Sequence, residues 1–185
     1  VSAEQHRDLP KAEGLVEDVL EYMLDRFRAW ASDEGMGAEL YLAVRTLKIS
    51  NPLDFARRLR AVHAIGERPE AAALAAANKR VSNILAKAEH DGRTEVDASL
   101  LSEPAEQALA DALTARGAEV APLFAAARYQ EALDALASLR EPVDAFFDQV
   151  MVNADDAAVR ANRLAMLASL QGLFMGVAVI SLLTQ

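Results

Sequence analysis

The sequence predicts an all-α fold, a helical bundle of about seven helices joined by short connections. Three observations carry that prediction. Apolar residues recur at three- and four-residue steps in every long segment. Alanine dominates, while aromatics (5%), Gly (8) and Pro (6) are sparse, a composition suited to helices packed through small residues. No stretch alternates apolar and polar residues as a half-buried strand does, and there is no repeat or low-complexity tract. The chain has 185 residues, 52% of them hydrophobic, enough for the core of one domain or two small ones.

The elements follow in order. Residues 1–14 read as an N-terminal extension or linker and 15–185 as the domain. In the first helix, Leu15, Val19, Tyr22, Met23, Phe27 and Trp30 form one apolar stripe, predicted to face the core. A shorter helix is expected from Ala38 to Leu47. The stretch SNPLDF then gives a start signal, with Asn51 as N-cap and Pro52 at the first helical position. This third helix carries Phe55, Leu59, Val62 and Ile65 on one side and ends near Gly66; Pro69 opens the fourth. His90 to Ser99 reads as a loop. Ser102, Glu103 and Pro104 start a long helix toward Ala127, which Gly117 and Pro122 are expected to bend or divide. Tyr129 to Arg140 is again apolar-periodic, and Pro142 restarts the helix with Val143, Phe146, Phe147, Val150 and Met151 on one face. Asn153 or Asp155 is expected to cap the last helix.

No charge occurs from Leu164 to Gln185, a run long enough to span a bilayer. Ser169, Gln171, Gly172, Gly176 and Ser181 interrupt it and no basic cluster follows, so a buried helix is expected rather than a membrane anchor. The chain starts at Val1, with no basic region followed by an apolar core, as expected of a domain cut from a larger protein. The lack of cysteine excludes disulfides and thiolate chemistry and suits a cytoplasmic protein.

The net charge of −9 hides an uneven distribution. Residues 45–88 hold 9 basic and 3 acidic side chains, net +6, whereas residues 1–44 and 103–185 are each net −6. At about 100° per residue, Leu74, Ala77, Val81, Ile84, Leu85 and Ala88 share one face of the fourth helix. Lys79, Arg80, Asn83 and Lys87 point the other way. On the third helix, Arg57 and Arg60 lie opposite Phe55 and Leu59, and Arg58 borders the apolar stripe, where its stem can pack. Two readings stay open: solvated cations paired with acids elsewhere, or a surface that meets phosphates and base edges.

Catalytic patterns are missing. His6, His63 and His90 are far apart, and His90-Asp91 lacks the further ligands a metal-dependent phosphohydrolase needs. Gly35 and Gly37 belong to no nucleotide fingerprint, and no nucleophile elbow occurs.

Against this background, AALAAANKRVSNILAK (Ala72 to Lys87) and REPVDAFFDQVMV (Arg140 to Val152) strongly resemble the C-terminal part of bacterial glycyl-tRNA synthetase beta subunits. So do DRFRAW (Asp25 to Trp30), RYQEAL (Arg128 to Leu133), NRLAML (Asn162 to Leu167) and VAVISLL (Val177 to Leu183). The resemblance runs from about residue 15 to the last residue. It implies an all-helical anticodon-binding domain, related to that of arginyl-tRNA synthetases, which grips glycine tRNA. It also implies an alpha subunit that activates glycine with ATP and magnesium, a heterotetrameric assembly, and no cofactor in this segment. Two positions depart from the family tail: Val179 stands where an acid is usual, and a basic residue is common near Gly176. The RNA-facing candidates are Arg57, Arg60, Lys79, Arg80, Asn83 and Lys87; Asn78, at the edge of the apolar stripe, is expected to bond backbone. Of the residues able to stack bases, Tyr22, Trp30, Tyr41 and Tyr129, the first two are assigned core roles, which leaves Arg57, Arg60, Arg80 and Asn83 as the expected base readers. A rival role is a structural module that docks on other parts of a synthetase without reading bases.

Overall fold

The structure, a computed structural model, describes residues 14–66, 68–88 and 91–183. Within them run α1 (Leu15–Asp33), α2 (Ala38–Arg45), α3 (Pro52–Gly66), α4 (Pro69–Lys87), α5 (Pro104–Ala125), α6 (Tyr129–Ala137), α7 (Arg140–Gln149) and α8 (Ala157–Met175). Two 3₁₀ turns, Ala98–Leu100 and Ile180–Leu183, complete the described elements, and no strand occurs among the described residues. The expected extension 1–14 lies, apart from Gly14, outside the described residues.

Local chemistry accounts for the helix starts. The Asn51 side-chain oxygen accepts from the backbone N–H of Leu53 and Asp54 at 3.0 and 3.2 Å, supplying partners to two donors that a helix start leaves free. Pro69 takes the first position of α4, where a missing N–H costs nothing. Glu103 and Glu106 form a reciprocal capping box on α5. α8 is capped by Asp156, one residue beyond the expected Asp155, through bonds from the N–H of Ala158 and Val159. α5 continues unbroken past Gly117 and keeps Pro122 within its last turns. Pro142 falls at the third position of α7, which already begins at Arg140.

α5 packs on α6, α7 and α8; α3 packs on α6; α4 lies among α7, α8 and the C-terminal turn. Phe55, Leu59, Leu109, Leu133, Phe146 and Leu167 fill the interior between these layers. The uncharged C-terminal run splits in two. α8 ends at Met175, and the following turn packs back on α2 and α4, with the Val179 N–H donating to the Ala43 carbonyl at 2.9 Å. A Cβ on Gly176 would lie 2.7 Å from the Phe124 ring, so a basic side chain there requires that ring to move. Among the described residues no helix is long and apolar enough to cross a membrane.

Two arginines, Arg163 buried and Arg58 partly so, join distant segments. Arg163 donates to Glu106 at 2.5 Å and to the Met151 carbonyl at 2.7 Å, tying α8 to α5 and to the end of α7. Arg58 is more than a packed stem: it donates to Asp54, to the Tyr129 hydroxyl and to the carbonyls of Gly176 and Val177, clamping the tail onto α3.

α1 departs from expectation. It packs chiefly on α2 and α3, through Leu24, Ala31 and Phe27. Its predicted core stripe is largely in solvent: Leu15 is 55% exposed, Tyr22 61%, and Val19 and Met23 are exposed as well. Trp30 is half-buried. The stripe is apolar, but no element among the described residues covers it.

Candidate nucleic-acid interface

α4 sets its charged side chains outward because its other face is occupied. Leu74, Ala75, Asn78 and Val81 are buried, and the Asn78 amide donates to the Leu74 carbonyl at 3.0 Å, a packing role. Lys79, Arg80, Asn83 and Lys87 are therefore exposed. Lys79, Asn83 and Lys87 follow at four-residue steps and share one ridge. The Arg80 guanidinium lies 4.1 Å from the centroid of the Phe147 ring, a cation–π contact that fixes it against α7.

All four line one cleft between α4 and Leu183 of the C-terminal turn. A second cleft shares Ile84 and Lys87 with it and adds Asn153 and Arg160. Arg160 is held there by a 2.7 Å bond to the Ala154 carbonyl. The two together form a groove along α4 whose polar groups are ammonium, guanidinium and amide, the donors that grip phosphates and meet base edges. Sequence reasoning missed Asn153 and Arg160, which come from the α7–α8 connection and the start of α8. It placed Phe147 on an apolar face without its cation partner.

Arg57 and Arg60 stand elsewhere. Both are exposed on α3 and line a shallow cleft beside Arg128 and Glu131, which pair with each other. Neither borders the α4 groove. The six predicted residues thus form two separate sets of four and two.

Ion pairing separates these cations from seven of the arginines. Arg45, Arg58, Arg68, Arg116, Arg128, Arg140 and Arg163 each hold an acid. Among the described residues, none of Arg57, Arg60, Lys79, Arg80 and Lys87 does. Within the basic segment the ion-pair account holds for Arg45, Arg58 and Arg68; among the described residues it supplies no partner for those five.

The four aromatic residues able to stack lie in different settings. Tyr129 is buried against Asp54 and Arg58, and burial, followed by the bond to Asp54, pushes its hydroxyl pKa up. Tyr41 donates to the Leu24 carbonyl at 2.8 Å. Both have packing roles; of the two residues assigned to the core, Trp30 is half-buried against it and Tyr22 is exposed. His90 lies outside the described residues, and among those described no cluster of His, Cys, Asp or Glu is placed to hold a metal.

The DALR anticodon binding domain family matches residues 74–179, more than half of the chain. The glycine–tRNA ligase beta subunit of Chromohalobacter salexigens is 65% identical over 185 residues, covering 100% of this chain and 27% of that protein. That of Pseudomonas aeruginosa is 59% identical over 182 residues, 98% of this chain and 27% of its own. That of Aeromonas salmonicida is 56% identical over 169 residues, 91% and 24%. The chain spans about a quarter of the length of these curated relatives.

Proposed function

Because the chain belongs to the DALR anticodon binding domain family, we propose that it holds the anticodon end of glycine tRNA for a glycine–tRNA ligase, as part of that enzyme's beta subunit. One observation carries the reading: Lys79, Arg80, Asn83 and Lys87 converge on one groove of a net-negative chain, with no acid paired to the three cations among the described residues. Phosphates answer those charges, and the Asn83 and Asn153 amides offer donors and acceptors to unpaired bases. The acidic remainder disfavours RNA elsewhere and so orients the encounter.

The residues this reading assigns to RNA are Lys79, Arg80, Asn83 and Lys87, with Arg160 at the groove's far end and Arg57 and Arg60 as a separate contact. Residues 15–185 act as one binding unit. Glycine activation with ATP and magnesium falls to an alpha subunit, in a cytoplasmic heterotetramer, and no cofactor is assigned to this chain.

The test is a titration at fixed salt against glycine tRNA and a single-base anticodon variant. The variant is expected to bind about 1–3 kcal/mol more weakly, the range for one lost base contact. Equal affinities would mean that the domain positions tRNA without reading it. A second reading, docking on other parts of the synthetase, is favoured by the exposed Leu15, Val16 and Val19. It predicts tight binding to protein partners in the absence of tRNA.

A further inference from the structure

A second groove, between α1 and α3, is lined by Tyr22, Met23, Arg26, Phe27, Trp30 and Arg60. Its walls are apolar, yet two guanidiniums border it. Arg60 lies 5.2 Å from the Trp30 ring centroid, and Arg26 lies 5.4 Å from that of Tyr22, donating to its hydroxyl at 3.1 Å. Among the described residues neither arginine makes an ion pair.

We propose that this groove is a stacking site for one unpaired nucleobase of single-stranded RNA, with Tyr22 and Trp30 supplying the faces and Arg26 and Arg60 answering the phosphates. The inference rests on the RNA-binding reading above and adds to it a site that does not include the α4 groove.

Three features select a nucleotide over a protein surface. An apolar protein face laid on the groove would strip water from two unpaired guanidiniums and return no counter-charge. A nucleotide brings a π-face and a phosphate together, matching an aromatic wall rimmed by arginine. The positive edge also continues: Arg60 lines both this groove and the neighbouring cleft that contains Arg57, giving a flanking phosphate a place to run. Of the acids on α1, Glu21 lies on the opposite side of the helix from Trp30 and is held by Arg45, and none of Asp18, Asp25 and Asp33 lines the groove.

Trp30 is the only tryptophan in the chain, so its emission reports on this groove alone. The experiment titrates the protein with an anticodon stem-loop of glycine tRNA, following Trp30 emission and, separately, the anisotropy of a labelled copy. Saturable quenching with the same midpoint as the anisotropy is expected. A stem-loop with abasic loop positions should bind with little quenching, and Tyr22→Ala should weaken the intact stem-loop about 5- to 100-fold. Tyr22 is exposed, so that variant retains the fold, which the unchanged melting temperature checks. RNA that binds without changing Trp30 emission, and with equal affinity for Tyr22→Ala, overturns this site and leaves the α4 groove standing. No RNA binding at all removes both. A blue shift of Trp30 that grows with protein concentration in the absence of RNA would make the groove a protein contact and overturn the proposal.

Discussion

Arg163 and Arg80 carry the same guanidinium into opposite settings. Arg163 lies between α5 and α8, 6% exposed, with Glu106 and the Met151 carbonyl as acceptors. Arg80 lies on the outer face of α4, leans on the Phe147 ring and holds no acid among the described residues. The first charge is answered by an acid inside the fold; the second meets a ring and, among the described residues, no acid. Net charge and composition treat the two alike. Whether the fold already satisfies a cation is what marks Arg163 as structural and makes Arg80 a candidate for binding.

Breaking the buried pair is the harshest test of that distinction. Arg163→Ala leaves the Glu106 carboxylate, 0% exposed, without its counter-ion. The expected loss is about 3–5 kcal/mol of unfolding free energy, read by denaturant or thermal melts. RNA affinity of the surviving folded fraction should barely change.

A milder perturbation uses pH. Burial pushes the Glu106 carboxyl up, but the bond from Arg163 and the N–H groups of Glu103 and Ser102 outweigh it and hold the group below the usual carboxylate range. A lowered folded pKa contributes stability that is fully present above the unfolded value and is lost as pH falls through the folded value. The melting temperature should therefore show little dependence on this group near neutrality and decline in acid. Glu106→Gln should be less stable at pH 7, with the gap to the parent protein closing as the pH drops. A gap that widens in acid would show that Glu106 is not held ionised.

The contrast also marks what the sequence could announce. Helix starts were legible because their chemistry is local: Asn51 caps residues two and three ahead, and Pro69 sits where its ring is harmless. The outward face of α4 was legible because one wheel contains both its buried and its charged sides. Arg58 was not, since the carbonyls it holds lie 118 and 119 residues away. Asn153 and Arg160 join the groove only through the docking of α8 beside α4, which no local pattern encodes. α1 is the instructive miss. Its stripe was read correctly as apolar, but periodicity says only that a face needs a partner, not that the partner lies in the same chain. Tyr22 was assigned inward on that assumption and is exposed, while Trp30 is half-buried against the core.

The smallest expected effect on stability belongs to the α4 face, and there the central claim is most exposed. Replacing Lys79 and Arg80 together by Ala removes no ion pair among the described residues and one cation–π contact, so the fold should lose no more than about 1 kcal/mol. The decisive measurement is the affinity of this double variant for glycine tRNA across a salt series, beside its melting temperature. The account predicts weaker binding, a salt slope reduced by about 0.7 to 0.9 for each lost phosphate contact, and a melting temperature close to that of the parent. Unchanged affinity and slope, or a loss of stability on the scale expected for Arg163→Ala, would contradict it.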